Sequence, residues 1–130
     1  MTTIDVQAEA RVGYMYVHCQ GVFTLEGMLQ VYEHALDAAA REGRTVALLD
    51  VRDVKGGPPT IVERYEMGVH VAKLQSDPAR RIRMAVVGHE PFIDPQRFGE
   101  TVARNRGAIS KVFTDIDEAI AWIEQRRASE

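Results

Sequence analysis

The stretch Thr45-Val46-Ala47-Leu48-Leu49-Asp50-Val51 decides the fold. Residues 46–49 are apolar without interruption and too few for a helix, so the segment reads as a strand covered on both faces. A strand of that kind sits in the middle of a sheet with helices packed on it.

Working outward, Leu25, Met28, Leu29, Tyr32, Ala35, Leu36 and Ala39 recur at helical spacing before it. Thr24 serves as N-cap, Glu26 suits the first-turn dipole, and Gly43 follows the end near Arg41. Further upstream, residues 11–19 form a β-branched and aromatic run, and Ile4 and Val6 alternate with polar neighbours. These read as two strands, with the turn of a hairpin near Glu9-Ala10.

Downstream, residues 53–59 contain Gly56, Gly57, Pro58 and Pro59 and read as a loop. Thr60 and Glu63 then form a capping-box pattern. The helix they open has an unusually wide apolar face: Ile61, Tyr65, Gly68, Val69 and Ala72, widened by Val62, Met67, Val71 and Leu74. Asp77-Pro78 ends it. Residues 82–88 are the next strand, and Asp94-Pro95 predicts the start of a third helix packing through Phe98, Val102 and Ala103. Lys111-Val112-Phe113 is a short strand. A final helix follows the acidic turn at residues 115–118, with Ile116, Ala119, Ile120 and Ile123 inward and Trp122 at the flank. The order β-β-α-β-α-β-α-β-α predicts an α/β fold, a mixed, mainly parallel five-stranded sheet with four helices, and right-handed crossovers. Residues 1–130 are expected to form one domain.

Taken in order and with their spacing, residues 46–54, 63–68, 85–88, 102–107, 112–113 and 117–123 resemble the STAS-like superfamily, and more narrowly the bacterial SpoIIAA-like proteins, which are linked structurally to CRAL-TRIO lipid-binding domains. The resemblance spans nearly the whole chain and implies a STAS-like fold. In the anti-sigma-factor antagonists of that group, the turn after the central strand bears a serine phosphorylated by a partner kinase. Here the same place holds Gly57-Pro58-Pro59-Thr60, and Thr60 is the only hydroxyl.

Net charge -3 argues against a nucleic-acid partner, which favours a basic domain. The clusters Arg80-Arg81-Ile82-Arg83 and Arg104-Asn105-Arg106 read as solvated element ends. One cysteine, Cys19, excludes an internal disulfide and reads as a small core residue. The start, Met1-Thr2-Thr3-Ile4-Asp5, has no leader pattern, and no apolar run reaches the roughly 18 residues of a membrane helix, so a cytoplasmic location without a transmembrane segment is expected. His18, His34, His70 and His89 show no metal-ligand spacing, and no phosphate-loop or nucleophile motif is present; neither metal nor cofactor is expected.

Open α/β sheets bind ligands outside the carboxyl ends of their strands. That edge carries Asp50, Arg52 and Asp53 after one strand and His89, Glu90 and Asp94 after another. If the strands are neighbours, these groups converge on a recognition site or docking face; capping and ion pairing is the simpler account. Asp50 ends an apolar strand and needs a partner, for which Arg52 is the nearest candidate. Thr60 is a helix cap that could also accept phosphate. The leading expectation is a non-enzymatic regulatory or interaction module binding a protein partner or a second copy of itself. The alternative is a carrier or sensor of a small apolar or lipid-like ligand under the wide-faced helix. A third reading is an enzyme using Asp50, Asp53 and His89 in acid–base chemistry.

Overall fold

The computed structural model describes residues 4–128; Met1-Thr2-Thr3, read above for a leader, lie outside them. The elements are β1 (Ile4–Arg11), β2 (Tyr14–Val22), α1 (Leu25–Arg41), β3 (Val46–Lys55), α2 (Ile61–Gln75), β4 (Arg83–Val87), α3 (Phe98–Asn105), β5 (Ser110–Phe113) and α4 (Ile116–Ala128), with one 3₁₀ turn at Pro78–Arg80. The sheet order is β1-β2-β3-β4-β5, antiparallel between β1 and β2 and parallel elsewhere. The expected five-stranded α/β architecture is the one observed.

Alternation along the central strand divides the core. Ala47, Leu49 and Val51 face a large layer built with Met28, Leu36, Met67 and Val71 from α1 and α2. Val46 and Leu48 face a smaller layer with Phe113, Ala119 and Ile123, under α4. On that second face α4 packs against β4 and β5. The other half of the face, on β1 and β2, presents the alternating polar residues Asp5, Gln7, Glu9 and Arg11.

Several boundaries differ from the sequence reading, each for a local reason. The hairpin turns at Val12-Gly13, not at Glu9-Ala10, because Gly13 takes φ +86, a conformation that residues with a Cβ avoid. β3 runs on to Lys55 because β2 also continues, pairing Gln20 with Asp53 and Val22 with Lys55. α3 begins at Phe98, not after Asp94-Pro95. Asp94 accepts from the amides of Gln96 and Phe98, but the left-handed Arg97 (φ 56) interrupts the helical path between them. The wide apolar face of α2 splits along its length. Met67, Gly68, Val71, Ala72 and Leu74 are buried, whereas Ile61, Val62 and Tyr65 in the first turns are 67%, 65% and 42% exposed.

Candidate functional site

The second half of β3 gathers the polar groups. His18 pairs with Asp50, but Gln20 pairs with Asp53, so two steps along β2 oppose three along β3. This bulge reverses the pleat. In a regular strand Asp50 and Asp53 would point to opposite faces; here both reach the face shared with Tyr16 and His18.

Asp50 is 2% exposed and accepts from four donors. The Tyr16 hydroxyl donates to Oδ2 at 2.6 Å, and Arg52 donates Nε to Oδ1 at 2.9 Å, a second guanidinium nitrogen to Oδ2 at 2.7 Å, and its backbone amide to Oδ1 at 3.1 Å. A carboxylate has about four acceptor sites, so Asp50 is saturated. Burial by itself would raise its pKa. The Arg52 side chain, the Tyr16 hydroxyl and the Arg52 amide together outweigh that and hold the carboxyl below its usual range. Burial, with the neighbouring Asp50 charge, pushes the Tyr16 phenol up to about 12. The Arg11 guanidinium lies 3.9 Å from the Tyr16 ring centroid and covers its outer face. Beside this group, His18 Nε2 and Asp53 Oδ2 are 2.7 Å apart at the surface.

The sequence-predicted residues therefore separate. Asp50, Arg52 and Asp53 share one side of the sheet. His89 follows β4, whose Val87 pairs with Asp50, but it is exposed, and its described hydrogen bond is through its carbonyl to the Ile93 amide. Thr60 is on the opposite side, at the start of α2, in a complete capping box: its hydroxyl accepts from the Glu63 amide at 3.1 Å, and Glu63 Oε1 accepts from the Thr60 amide at 2.9 Å. Arg11, Tyr16 and His18 escaped sequence reasoning. The period-two stripe Tyr14, Tyr16, His18 was visible in the chain, but the face it shares with Asp50 is set by the β2–β3 pairing.

Under α2 and α3 lies a small cleft of about 80 Å³, lined chiefly by apolar groups such as Met67, Val71, Met84 and Val86. Arg64 closes one side by donating to the carbonyls of Phe92 and Pro91, both at 2.8 Å. Cys19 is fully buried, and burial pushes its thiol up to about 12, consistent with a core residue. Among the described residues no group of three or more His, Cys, Asp or Glu side chains is placed to hold a metal ion, and no helix is long and apolar enough to cross a membrane.

No protein-family model matches the chain, and no functionally curated protein matches it in sequence. Several solved structures are similar. An anti-sigma factor antagonist from Mycobacterium paratuberculosis superposes with TM-score 0.57 at 16% identity, over 93% of this chain and 94% of that one. An uncharacterised protein with a SpoIIAA-like fold from Shewanella loihica PV-4 superposes with TM-score 0.49 at 22% identity, over 95% of each. The strand order, the packing of α4 on one face and the superposition on the antagonist over nearly its whole length agree with the fold expected from the sequence: the chain shares its α/β fold with that anti-sigma factor antagonist.

Proposed function

We propose that this chain is a non-enzymatic, STAS-like interaction module that docks another protein through the first turns of α2. The observation that carries the reading is the exposure of Ile61, Val62 and Tyr65, adjacent to the Thr60 cap, while Met67, Gly68, Val71, Ala72 and Leu74 farther along the helix are buried. Adjacent exposed apolar side chains on a well-capped helix are a preferred place for a partner to bury surface. The fold is shared with a protein named for antagonising an anti-sigma factor, which supports a regulatory partner. The saturated Asp50 group has a supporting part: it fixes the middle of β3, the strand whose end leads through residues 56–60 into the docking helix.

The other readings have weaker support. A general base needs a free lone pair within reach of a proton. Asp50 has all its acceptor sites occupied and is held charged, and the His89 side chain makes none of the described bonds of that group. Ligand pockets usually span about 300–1,000 Å³. The cleft under α2, at about 80 Å³, has room for two or three waters and not for a lipid-like molecule.

The test is crosslinking in native cells with mass spectrometry, comparing wild type with an Ile61→Asp/Val62→Asp variant. Both substitutions are at exposed positions and should leave the fold intact by circular dichroism. A partner crosslinked to α2 in wild type should be lost in the variant. A crosslink profile identical in the two proteins would overturn the reading.

A further inference from the structure

The two edges of the sheet differ. At one edge β5 is four residues long, carries Lys111, and has the Val112 amide taken by Glu100 Oε1 at 2.8 Å. At the other, β1 is eight residues long, with no proline, lysine or bulge to discourage pairing. The two-residue turn Val12-Gly13 makes Arg11 and Tyr14 the closing, hydrogen-bonded pair of the hairpin, so Arg11, Glu9, Gln7 and Asp5 turn their amides and carbonyls toward β2. The Arg11 carbonyl also accepts at 2.8 Å from Nε of Arg44, which leads into β3 on that same side. Ile4, Val6, Ala8 and Ala10 therefore turn their backbone groups outward, and no described side chain bonds them. We propose that β1 is the seam of a symmetric dimer, pairing antiparallel with β1 of a second copy of this chain in the register centred on Ala8.

Backbone and charge select that register. Outward groups bond only outward groups, so even-numbered residues must face even-numbered ones across the seam. Centring on Gln7 would set Asp5 against Glu9 on both sides of the axis, and centring on Glu9 would set Glu9 against itself. Like charges directly opposite are destabilising. Centring on Val6 would leave the outward groups of Ala10 with no partner in β1. Centring on Ala8 sets Asp5 opposite Arg11 and Glu9 opposite Gln7 on the polar face. On the face toward α1 it sets Val6 opposite Ala10, and Ala8 opposite itself. Val6, Ala8 and Ala10 then gain partners for every outward amide and carbonyl. Arg11 keeps its place over the Tyr16 ring and its ion pair with Glu9 at 3.2 Å; it supplies charge of opposite sign across from Asp5 and need not move.

Shape agrees with charge. The same register brings Val12 of one copy across from Ile4 of the other. Val12, at the hairpin tip, is 81% exposed, more than any other large apolar side chain described. Ile4 borders a groove of about 270 Å³ between β1 and α1, lined also by Val6, Gly27 and Val31. Val12 seated against that groove leaves water at both ends of the two-fold seam. Ala8 and Ala10 are exposed although their β2 partners, Val17 and Met15, are buried, so a further strand extends the layer past the edge that α1 leaves uncovered. The seam uses none of the α2 side chains proposed to dock a partner, so the two surfaces are tested separately.

Sedimentation velocity of the full chain over a concentration series reads the monomer–dimer equilibrium, with circular dichroism to check the fold of each variant. Wild type should shift toward dimer as concentration rises. Ala8→Lys, at an exposed position, should weaken the dimer about tenfold or more, because two ammonium groups then meet on the axis. Lys111→Gln, on the opposite edge strand, should leave it unchanged. Mild oxidation reads the register. Opposed residues of a hydrogen-bonded pair have Cα atoms about 5.5 Å apart, within disulfide reach, so Ala8→Cys should crosslink two copies. Asp5→Cys sets its two thiols roughly 20 Å apart along the seam and should not. Wild type that stays monomeric at about 1 mM, which would leave the edge to a different chain, would overturn the proposal. So would a dimer indifferent to Ala8→Lys, or Asp5→Cys crosslinking as readily as Ala8→Cys.

Discussion

Replacing Arg52 with leucine isolates the energetics of the buried Asp50 group in β3. The substitution removes the bonds from Nε to Oδ1 (2.9 Å) and from the second guanidinium nitrogen to Oδ2 (2.7 Å), leaving Asp50 with the Tyr16 hydroxyl and the Arg52 backbone amide. Each lost bond joins two charged groups and is worth about 1.5–3 kcal/mol in a buried setting. The Arg52 side chain is 34% exposed, so its attraction to Asp50 is partly screened, which lowers the sum. Asp50, 2% exposed, cannot turn to water instead. A net loss of about 2–4 kcal/mol follows, a large part of the roughly 5–15 kcal/mol that holds a domain together. For a chain of this length that is a fall in Tm of about 10 °C at neutral pH. The pH dependence gives the sharper signature. In the wild type the Asp50 carboxyl is held below its ordinary range, so its contribution is present above the unfolded-state pKa and is lost as pH falls through the folded value. In the variant, burial is opposed only by the Tyr16 hydroxyl and the residue-52 amide, so the carboxyl titrates higher than in the wild type, and acid neutralises the stranded charge sooner and relieves the penalty. The gap in Tm between wild type and variant, measured by calorimetry from neutral pH down through the carboxylate range, should therefore narrow. A gap under about 2 °C at neutral pH, or one that does not change with pH, would refute the view that Arg52 compensates a buried charge.

Other parts of the structure make equally specific predictions. Gly68→Ala should destabilise by about 1–3 kcal/mol in chemical denaturation, because the added Cβ would lie 2.6 Å from the Gly99 carbonyl oxygen and 2.9 Å from Val102 Cβ, forcing α2 and α3 apart. Thr60→Ala should cost about 1 kcal/mol by the same measurement, while Thr60→Ser should restore the cap, since only the hydroxyl bond to the Glu63 amide is at stake. Cys19 should resist alkylation by iodoacetamide in the folded protein at neutral pH and react on unfolding, because burial keeps its thiol protonated up to about 12.

Much of the architecture was legible in the chain because it rests on local and periodic rules. The apolar run at residues 46–49 required a strand covered on both faces, the Thr24 and Thr60 caps set two helix starts, and alternation after the first hairpin required a mainly parallel sheet. Asp50 at the end of an apolar strand called for a partner, and Arg52 is that partner. The remainder depends on register and on what covers what. A one-residue bulge against β2 places Asp53 beside Asp50 and His18, and the pairing of β2 with β3 adds Tyr16. Composition could not say that the wide apolar face of α2 is buried in one half and exposed in the other, because that follows from where the helix leaves the sheet. Nor could it bring residues 81–83 beside residues 106, 107 and 109, which line one space only because α2 and the entries to β4 and β5 fold around it. Periodicity along the chain determined which elements form; tertiary packing decided which of their polar groups share a surface, since proximity in the fold is set by strand register and helix placement and not by distance in sequence.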